Sequence, residues 1–324
     1  MKVIVIGAGA WGTTNAIHLA NKGSEVTLWA YETDLVGRMQ RERVNEVYLP
    51  GIRFPDSLEV TSGFGPLGEC DFLVNAVPTQ FMRGVYAQFG DALPAVPMVS
   101  LSKGIEIGTG RLPTQVYAEV VGADRPTATL TGPCIAREVV QGLPTAVVVA
   151  GDEAEMFQAA FNTDRFRVYT SEDKLGAELA AALKNVMGLT AGIVDGMKLG
   201  DNAKASVLTR GIVEISRLGV ALGAQLSTFS GLAGFGDLFT TCVSPFGRNR
   251  TVGERIGKGE TVDEILSSMS SVAEGVPTTR AVVALAEEHN VEMPITRAIH
   301  AILFEQTPLA QALATLMTRD RRPE

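Results

Sequence analysis

An apolar run that breaks into a fixed pattern of glycines, Lys2-Val-Ile-Val-Ile-Gly-Ala-Gly-Ala-Trp-Gly12, constrains the fold more than any other feature of the chain. Gly7, Gly9 and Gly12 form G-x-G-x-x-G directly after a β-branched strand and directly before the helical pattern Thr13 to Lys22. In such a joint the first glycine permits a tight turn and the second lets backbone approach a pyrophosphate. The third lets helix and strand pack closely, while the helix N-terminus attracts the anion. Three glycines alone are a weak sign; flanked by strand, helix and a second strand in register, they predict a dinucleotide site. Glu32 lies 20 positions beyond Gly12, where a site for NAD places an acid on the ribose hydroxyl. Its neighbour Tyr31 blurs the register, and Arg38 and Arg41, the cations a 2′-phosphate would want, come several residues later. NAD and NADP both stay open, as does the plain reading of Glu32 as a solvated strand end.

Up to about Thr170, short β-branched runs alternate with helical patterns, which predicts an α/β domain with a Rossmann-type, doubly wound parallel sheet. Strands are expected at Lys2 to Ile6, Glu25 to Ala30, Phe72 to Val77, Met98 to Leu101, Thr127 to Leu130 and Thr145 to Val149. Most are continuous apolar runs, as befits a sheet covered on both faces. Beyond Ser171 helical periodicity takes over, starting with the long segment Lys174 to Val194. The expected organisation is a dinucleotide-binding domain over residues 1–172 and an all-α, substrate-binding domain over 173–324. Further helices are expected at Ala203 to Leu222, Thr261 to Met269, Pro277 to His289 and Pro294 to Leu303. Gly-rich joints are expected around Ser230 to Asp237 and Phe246 to Gly259, and a frayed tail at Thr318 to Glu324.

A chain of 324 residues can supply two cores. With 28 Lys and Arg against 36 Asp and Glu, its charge of −8 gives no basic field for nucleic acid or an anionic membrane. An anionic small molecule would need a local basic pocket. Cys70, Cys134 and Cys242 stand far apart, with neither zinc-site nor disulfide spacing, which fits a reducing compartment and no metal. The N-terminal run breaks at glycines instead of reaching a cleavage site, so it reads as a strand and not a signal peptide. No unbroken apolar stretch approaches the roughly 20 residues of a membrane span, and a cytoplasmic location is expected.

Lys184 interrupts the apolar run Leu179-Ala-Ala-Ala-Leu-Lys-Asn-Val-Met-Gly-Leu, where an ammonium costs free energy unless it has a partner or a task. The alternative is a stem that snorkels to water. Lys103 follows a strand end, the side of an open sheet where ligands bind, though a surface lysine would look the same. Gly231-Leu-Ala-Gly-Phe-Gly-Asp237 suggests close approach to a ligand or chain, against a flexible helix connection. Arg248 in Pro245-Phe-Gly-Arg-Asn-Arg250 offers a planar donor fork suited to phosphate, with Asn249 beside it, against a solvated loop arginine. His18, His289 and His300 are scattered and read as structural, and no hydrolase elbow or zinc motif is present.

Together these segments closely resemble the bacterial NAD(P)-dependent glycerol-3-phosphate dehydrogenases over nearly the whole chain. The likeness runs through GAGAWGT at 7–13, SLSKGIE around Lys103, GPCIARE at 132–138 and ALKNVMGLTAGIVDG at 182–196. It continues through LAGFGDLFTTCVSPFGRNR at 232–250 to VAEGVPTT at 272–279. The resemblance implies hydride exchange between NAD(P)H and dihydroxyacetone phosphate, giving sn-glycerol 3-phosphate for phospholipid synthesis, in a homodimer. It also implies that Lys184 moves the proton, with Lys103 and Asp237 nearby and Gly132 and Cys134 in contact with substrate. Gly247, Arg248 and Asn249 would hold the phosphate. Ala10, Trp11, Tyr31, Lys103, Ala136, Arg248, Val272 and Glu274 would line the cofactor.

Cys134 stands where the family commonly has Ser or Thr, and Gly247 where it has Ser, so backbone amides would replace hydroxyl contacts there. Tyr31 and Pro277 stand where members often carry basic or polar residues. Two rival readings are another β-hydroxyacid dehydrogenase, which shares the helix-borne Lys-Asn pair, and a non-catalytic dinucleotide sensor. The GFGD and GRNR segments oppose the first, and Lys184, Lys103 and Asp237 together oppose the second.

Overall fold

The computed structural model describes residues 1–65, 67–269 and 272–319; the end of the expected frayed tail, from residue 320 on, lies outside them. The chain divides into two compact units, Met1–Lys103 with Arg111–Glu178, and Gly104–Gly110 with Leu179–Glu324.

The first unit contains β1 (Lys2–Ile6), β2 (Glu25–Trp29), β3 (Val44–Asn45), β4 (Leu49–Arg53) and β5 (Leu58–Thr61). After these come β6 (Phe72–Asn75), β7 (Met98–Ser100), β8 (Thr127–Thr131), β9 (Thr145–Gly151) and β10 (Phe166–Ser171). Eight of them form one sheet in the order β5-β2-β1-β6-β7-β8-β9-β10, and β3 and β4 pair separately as an antiparallel hairpin. The first six are parallel, and their order reverses direction between β1 and β6. That is the switch point at which a doubly wound sheet opens a crevice beyond its strand ends. Period-two alternation fills both faces: Val3 and Val5 enter one core with Leu28 and Val74, whereas Ile4 and Ile6 enter the other with Trp29 and Leu73. Each such side chain contributes about 1.5–3 kcal/mol by leaving water.

The expected doubly wound parallel sheet is present in these six strands, and beyond it β9 runs antiparallel to β8 and β10 runs parallel to β9. A right-handed crossover needs a helix laid back along the sheet. Here the 13 residues between β8 and β9 hold only the short helix Ala136–Val140, so the chain returns from the end at which it left. β5, β10 and the β3–β4 hairpin were not among the expected strands. β5 has only four residues and β3 two, too few for a pattern to register.

In the second unit the main helices are Asp201–Ala221, Arg248–Gly257, Gly275–Glu288, Pro294–Phe304 and most of Lys174–Gly196; no described residue after Ser171 lies in a strand. Both expected Gly-rich joints are largely helical, which removes the alternative of a flexible connection. Leu232–Gly236 is a π-helical turn running into the helix Asp237–Val243, and Arg248–Gly257 covers most of the second segment. Glycine there serves close helix contact instead of flexibility. Gly188, Gly192 and Gly196, one per turn of Lys174–Gly196, face Arg248–Gly257: a Cβ on Gly192 would overlap the Arg250 carbonyl, and one on Gly253 the Leu189 carbonyl. Lys174–Gly196 is long and apolar enough to cross a membrane, yet its apolar window is wholly buried in protein.

Candidate active site

The loop after β1 has the geometry its glycines predict. Gly7 takes φ +113°, open to glycine and strained for other residues, and a Cβ there would lie 2.7 Å from the Ala76 carbonyl carbon. A Cβ on Gly12 would strike the Gly7 carbonyl and come within 2.9 Å of Ala76 Cβ, so helix and strand touch at that point. Gly9, the N-cap of the helix Ala10–Asn21, faces open space with nothing within 4 Å. The first-turn N–H groups, including those of Ala10 and Trp11, have no acceptor inside the helix and no acidic side chain among them. This cradle fits a dinucleotide pyrophosphate. Ala136 sits against the same helix, its carbonyl accepting from Thr14 Oγ1 at 3.4 Å.

Glu32 caps the helix Thr33–Glu42 just past the end of β2 and is exposed. It accepts a hydrogen bond from the Tyr48 hydroxyl at 3.0 Å, and Tyr48 belongs to the turn between β3 and β4. Tyr31, 63% exposed, packs edge-on toward Trp29 and Phe64. Lys103 is half-buried, with its Nζ 3.5 Å from the Gly132 carbonyl and 3.4 Å from Cys134 Sγ. Its position is set by the preceding residue: Ser102 donates to the Val77 carbonyl at 2.5 Å and accepts from Asn75 at 2.9 Å. Gly132 has φ +137° and abuts Val147, so the turn at β8 also requires glycine.

In the second unit, Lys184 forms an ion pair with Asp237, their side chains only 7% and 3% exposed. Lys184 also donates to Thr241 Oγ1 at 2.7 Å. The snorkelling alternative is excluded, since the ammonium ends on partners inside the protein. Asp237 begins its helix straight after the π turn, closed by the Gly236 N–H to Gly231 carbonyl bond at 3.1 Å, a form that recurs at functional sites. Wide turns of this kind carry no sequence period, which is why the segment reads as a joint.

Asn249 is buried, donating to Asn185 Oδ1 at 2.9 Å and accepting from the Gly275 N–H at 2.9 Å. It therefore ties Arg248–Gly257 to two other helices, and Gly275 directly follows Glu274. Val272 and Glu274 are half-buried before that helix. Gly247 caps the helix that Arg248 begins, and the Arg248 guanidinium is exposed with no charged partner among the described residues. Arg250 behaves differently, because Asp195 holds its guanidinium through contacts of 2.8 and 2.6 Å. Thr241 and Asn185 are the polar partners that sequence reading did not assign; the i, i+4 step from Asp237 to Thr241 was the available signal. Among the described residues no group of His, Cys, Asp and Glu could hold a metal.

A family model described as NAD-dependent glycerol-3-phosphate dehydrogenase N-terminus matches residues 2–157, and its C-terminal counterpart matches residues 173–314. The chain belongs to the NAD-dependent glycerol-3-phosphate dehydrogenase family. A glycerol-3-phosphate dehydrogenase [NAD(P)+] of Prosthecochloris aestuarii is 46% identical over all of both chains, and that of Geobacter sulfurreducens is 47% identical over all of this chain and 98% of its own. Among solved structures, glycerol-3-phosphate dehydrogenase from Coxiella burnetii superposes with a TM-score of 0.94 at 37% identity, covering 98% of this chain and 99% of its own. Family membership places the buried Lys184–Asp237 pair and the glycine loop within a dehydrogenase chain.

Proposed function

We propose that the protein interconverts dihydroxyacetone phosphate and sn-glycerol 3-phosphate with NAD(P)H, the activity named for its 46% identical relatives. The observation that carries the assignment of roles is Lys184, a buried ammonium fixed by Asp237 and Thr241. When bound, the nicotinamide supplies or takes up the hydride. As the substrate carbonyl is reduced, negative charge grows on its oxygen, and Lys184 stabilises that charge and donates the proton; in oxidation it accepts one. Asp237 and Thr241 fix the direction of the ammonium, so little reorganisation is needed as charge develops. Arg248, at a helix N-terminus and without a charged partner among the described residues, grips the phosphate and orients the carbonyl through binding remote from the reacting carbon.

In the same reading Lys103, Gly132 and Cys134 contact substrate, and Asn249 and Gly247 shape the phosphate end. Gly7, Gly9, Ala10, Trp11, Gly12, Tyr31, Glu32, Ala136, Val272 and Glu274 serve the cofactor. Residues 1–172 act as the dinucleotide-binding domain and 173–324 as the substrate-binding domain, in a cytoplasmic homodimer that supplies phospholipid synthesis. The test is absorbance at 340 nm with dihydroxyacetone phosphate and each reduced nicotinamide. Lys184→Ala should lower kcat by at least about 10³-fold while NADH affinity stays within twofold. Turnover near wild type in that variant would remove Lys184 from the chemistry.

A further inference from the structure

The first unit contains a chain of contacts from the pyrophosphate loop to Glu32. Asn45, fully buried, donates from its amide to the Ala8 carbonyl at 2.8 Å and to Thr13 Oγ1 at 2.9 Å, so it grips both the glycine loop and the helix that follows. Asn45 Oδ1 accepts from the backbone N–H of Tyr48 at 3.1 Å, and the Tyr48 hydroxyl donates to Glu32 Oε1 at 3.0 Å. The Tyr48 ring lies against the core beneath, and burial together with the carboxylate pushes its phenol above the usual range, so it remains a donor. The β3–β4 hairpin therefore links the glycine loop to Glu32. Glu32 Oε2 has no hydrogen-bond partner among the described residues.

From this geometry we infer that Tyr48 is the positioning residue that makes the protein select NAD over NADP, by holding Glu32 as a fixed acceptor for a ribose 2′-hydroxyl. The inference rests on the dinucleotide reading of the glycine loop. A 2′-hydroxyl donates to a carboxylate, whereas a 2′-phosphate brings only acceptors and like charge to the same place. Arg43 spends its guanidinium on the Pro55 carbonyl at 2.5 Å, and Arg38 and Arg41 are the sixth and ninth residues of the helix Thr33–Glu42. Asp34 in its first turn adds a second negative charge. An unheld glutamate could swing aside and admit the phosphate; one fixed by a phenol that is itself anchored through Asn45 cannot do so without losing its bond.

The test is calorimetric binding of NADH, NADPH, AMP and adenosine 2′,5′-bisphosphate to the full chain, wild type and Tyr48→Phe, alongside the ratio of kcat/KM for the two reduced cofactors. Wild type should bind NADH at least about tenfold tighter than NADPH, and AMP tighter than the bisphosphate. Tyr48→Phe should weaken NADH about five- to tenfold, with NADPH unchanged or tighter. In a Glu32→Ala background the same change should no longer alter the ratio, because the coupled partner is gone. Equal binding of the two cofactors by wild type, a preference for NADPH, or a Tyr48→Phe variant that weakens both equally would overturn the inference while leaving the dehydrogenase reading intact. Binding of neither cofactor would overturn both.

Discussion

Substituting alanine for Gly192 tests whether the glycine-lined helix crossing sets the position of Arg248 and Asn249, the proposed phosphate end of the site. An added Cβ would overlap the Arg250 carbonyl and stand 2.7 Å from the Glu254 nitrogen and 2.9 Å from the Arg250 carbonyl carbon. These are backbone atoms, so no rotamer change relieves the clash, and the two helices must separate. Overpacking of this kind costs up to about 3 kcal/mol. Alanine returns about 1 kcal/mol of helix propensity. The net loss is about 2 kcal/mol, or roughly 4–8 °C in Tm for a unit of this size. Separation also stretches the Asn249–Asn185 hydrogen bond, 2.9 Å long, and shifts Arg248 beside it. A displacement of about 1 Å at a substrate-positioning group costs on the order of 10² in kcat/KM. The control is Gly84→Ala, in the helix Thr79–Phe89, where a Cβ would meet nothing within 4 Å; it should stabilise by up to about 1 kcal/mol and leave activity alone. Calorimetric melting and the 340 nm assay read both variants. A Gly192→Ala protein as stable as Gly84→Ala would refute the argument from close contact.

Arg248→Ala should raise the KM for dihydroxyacetone phosphate about 10- to 100-fold, since bonds to a charged group are worth about 1.5–3 kcal/mol. An unchanged KM in steady-state kinetics would remove it from the phosphate site. Glu214 reaches across from Asp201–Ala221 to cap Pro294–Phe304, accepting from the Ile295 N–H at 2.6 Å and the Thr296 N–H at 3.2 Å. Burial pushes its carboxyl from 4.5 up to about 7 despite those donors. The folded state then holds a proton that the unfolded chain releases between pH 4.5 and 7, so stability is highest below that window and falls by about 3 kcal/mol as pH rises through it. Glu214→Gln should flatten this slope in urea midpoints measured at pH 5 and pH 8; an unchanged slope would assign it to Glu178, which burial raises to about 7 in the same way.

How legible each part was depended on how local its cause is. β1, the glycine turn and the helix after it were readable because tight turn, open approach and close packing each demand glycine at its own position. Lys184 was conspicuous because one ammonium in an apolar helix needs a reason. The sheet's reversed edge was not readable, since it depends on where the chain returns after β8 and not on any residue's preference. Tyr48 gave no sign either, because its role arises only when the hairpin folds back to Glu32, 16 positions earlier.

The sequence by itself determined the α/β-then-α order of elements, the dinucleotide loop, and the residue types able to move a proton and hold a phosphate, since each follows from neighbours within a turn or two of chain. The tertiary structure alone decided what those residues touch. Asp237 and Thr241 come to Lys184 from more than 50 positions away, and Asn249 reaches Asn185 from 64. Gly188, Gly192 and Gly196 act as a close helix contact only because Asn249, Arg250, Glu254 and Gly257 of a distant helix lie opposite. Hydrogen bonds and steric contact act over a few ångströms, and which distant segments come that near is fixed by packing the whole unit, not by any short stretch of its sequence.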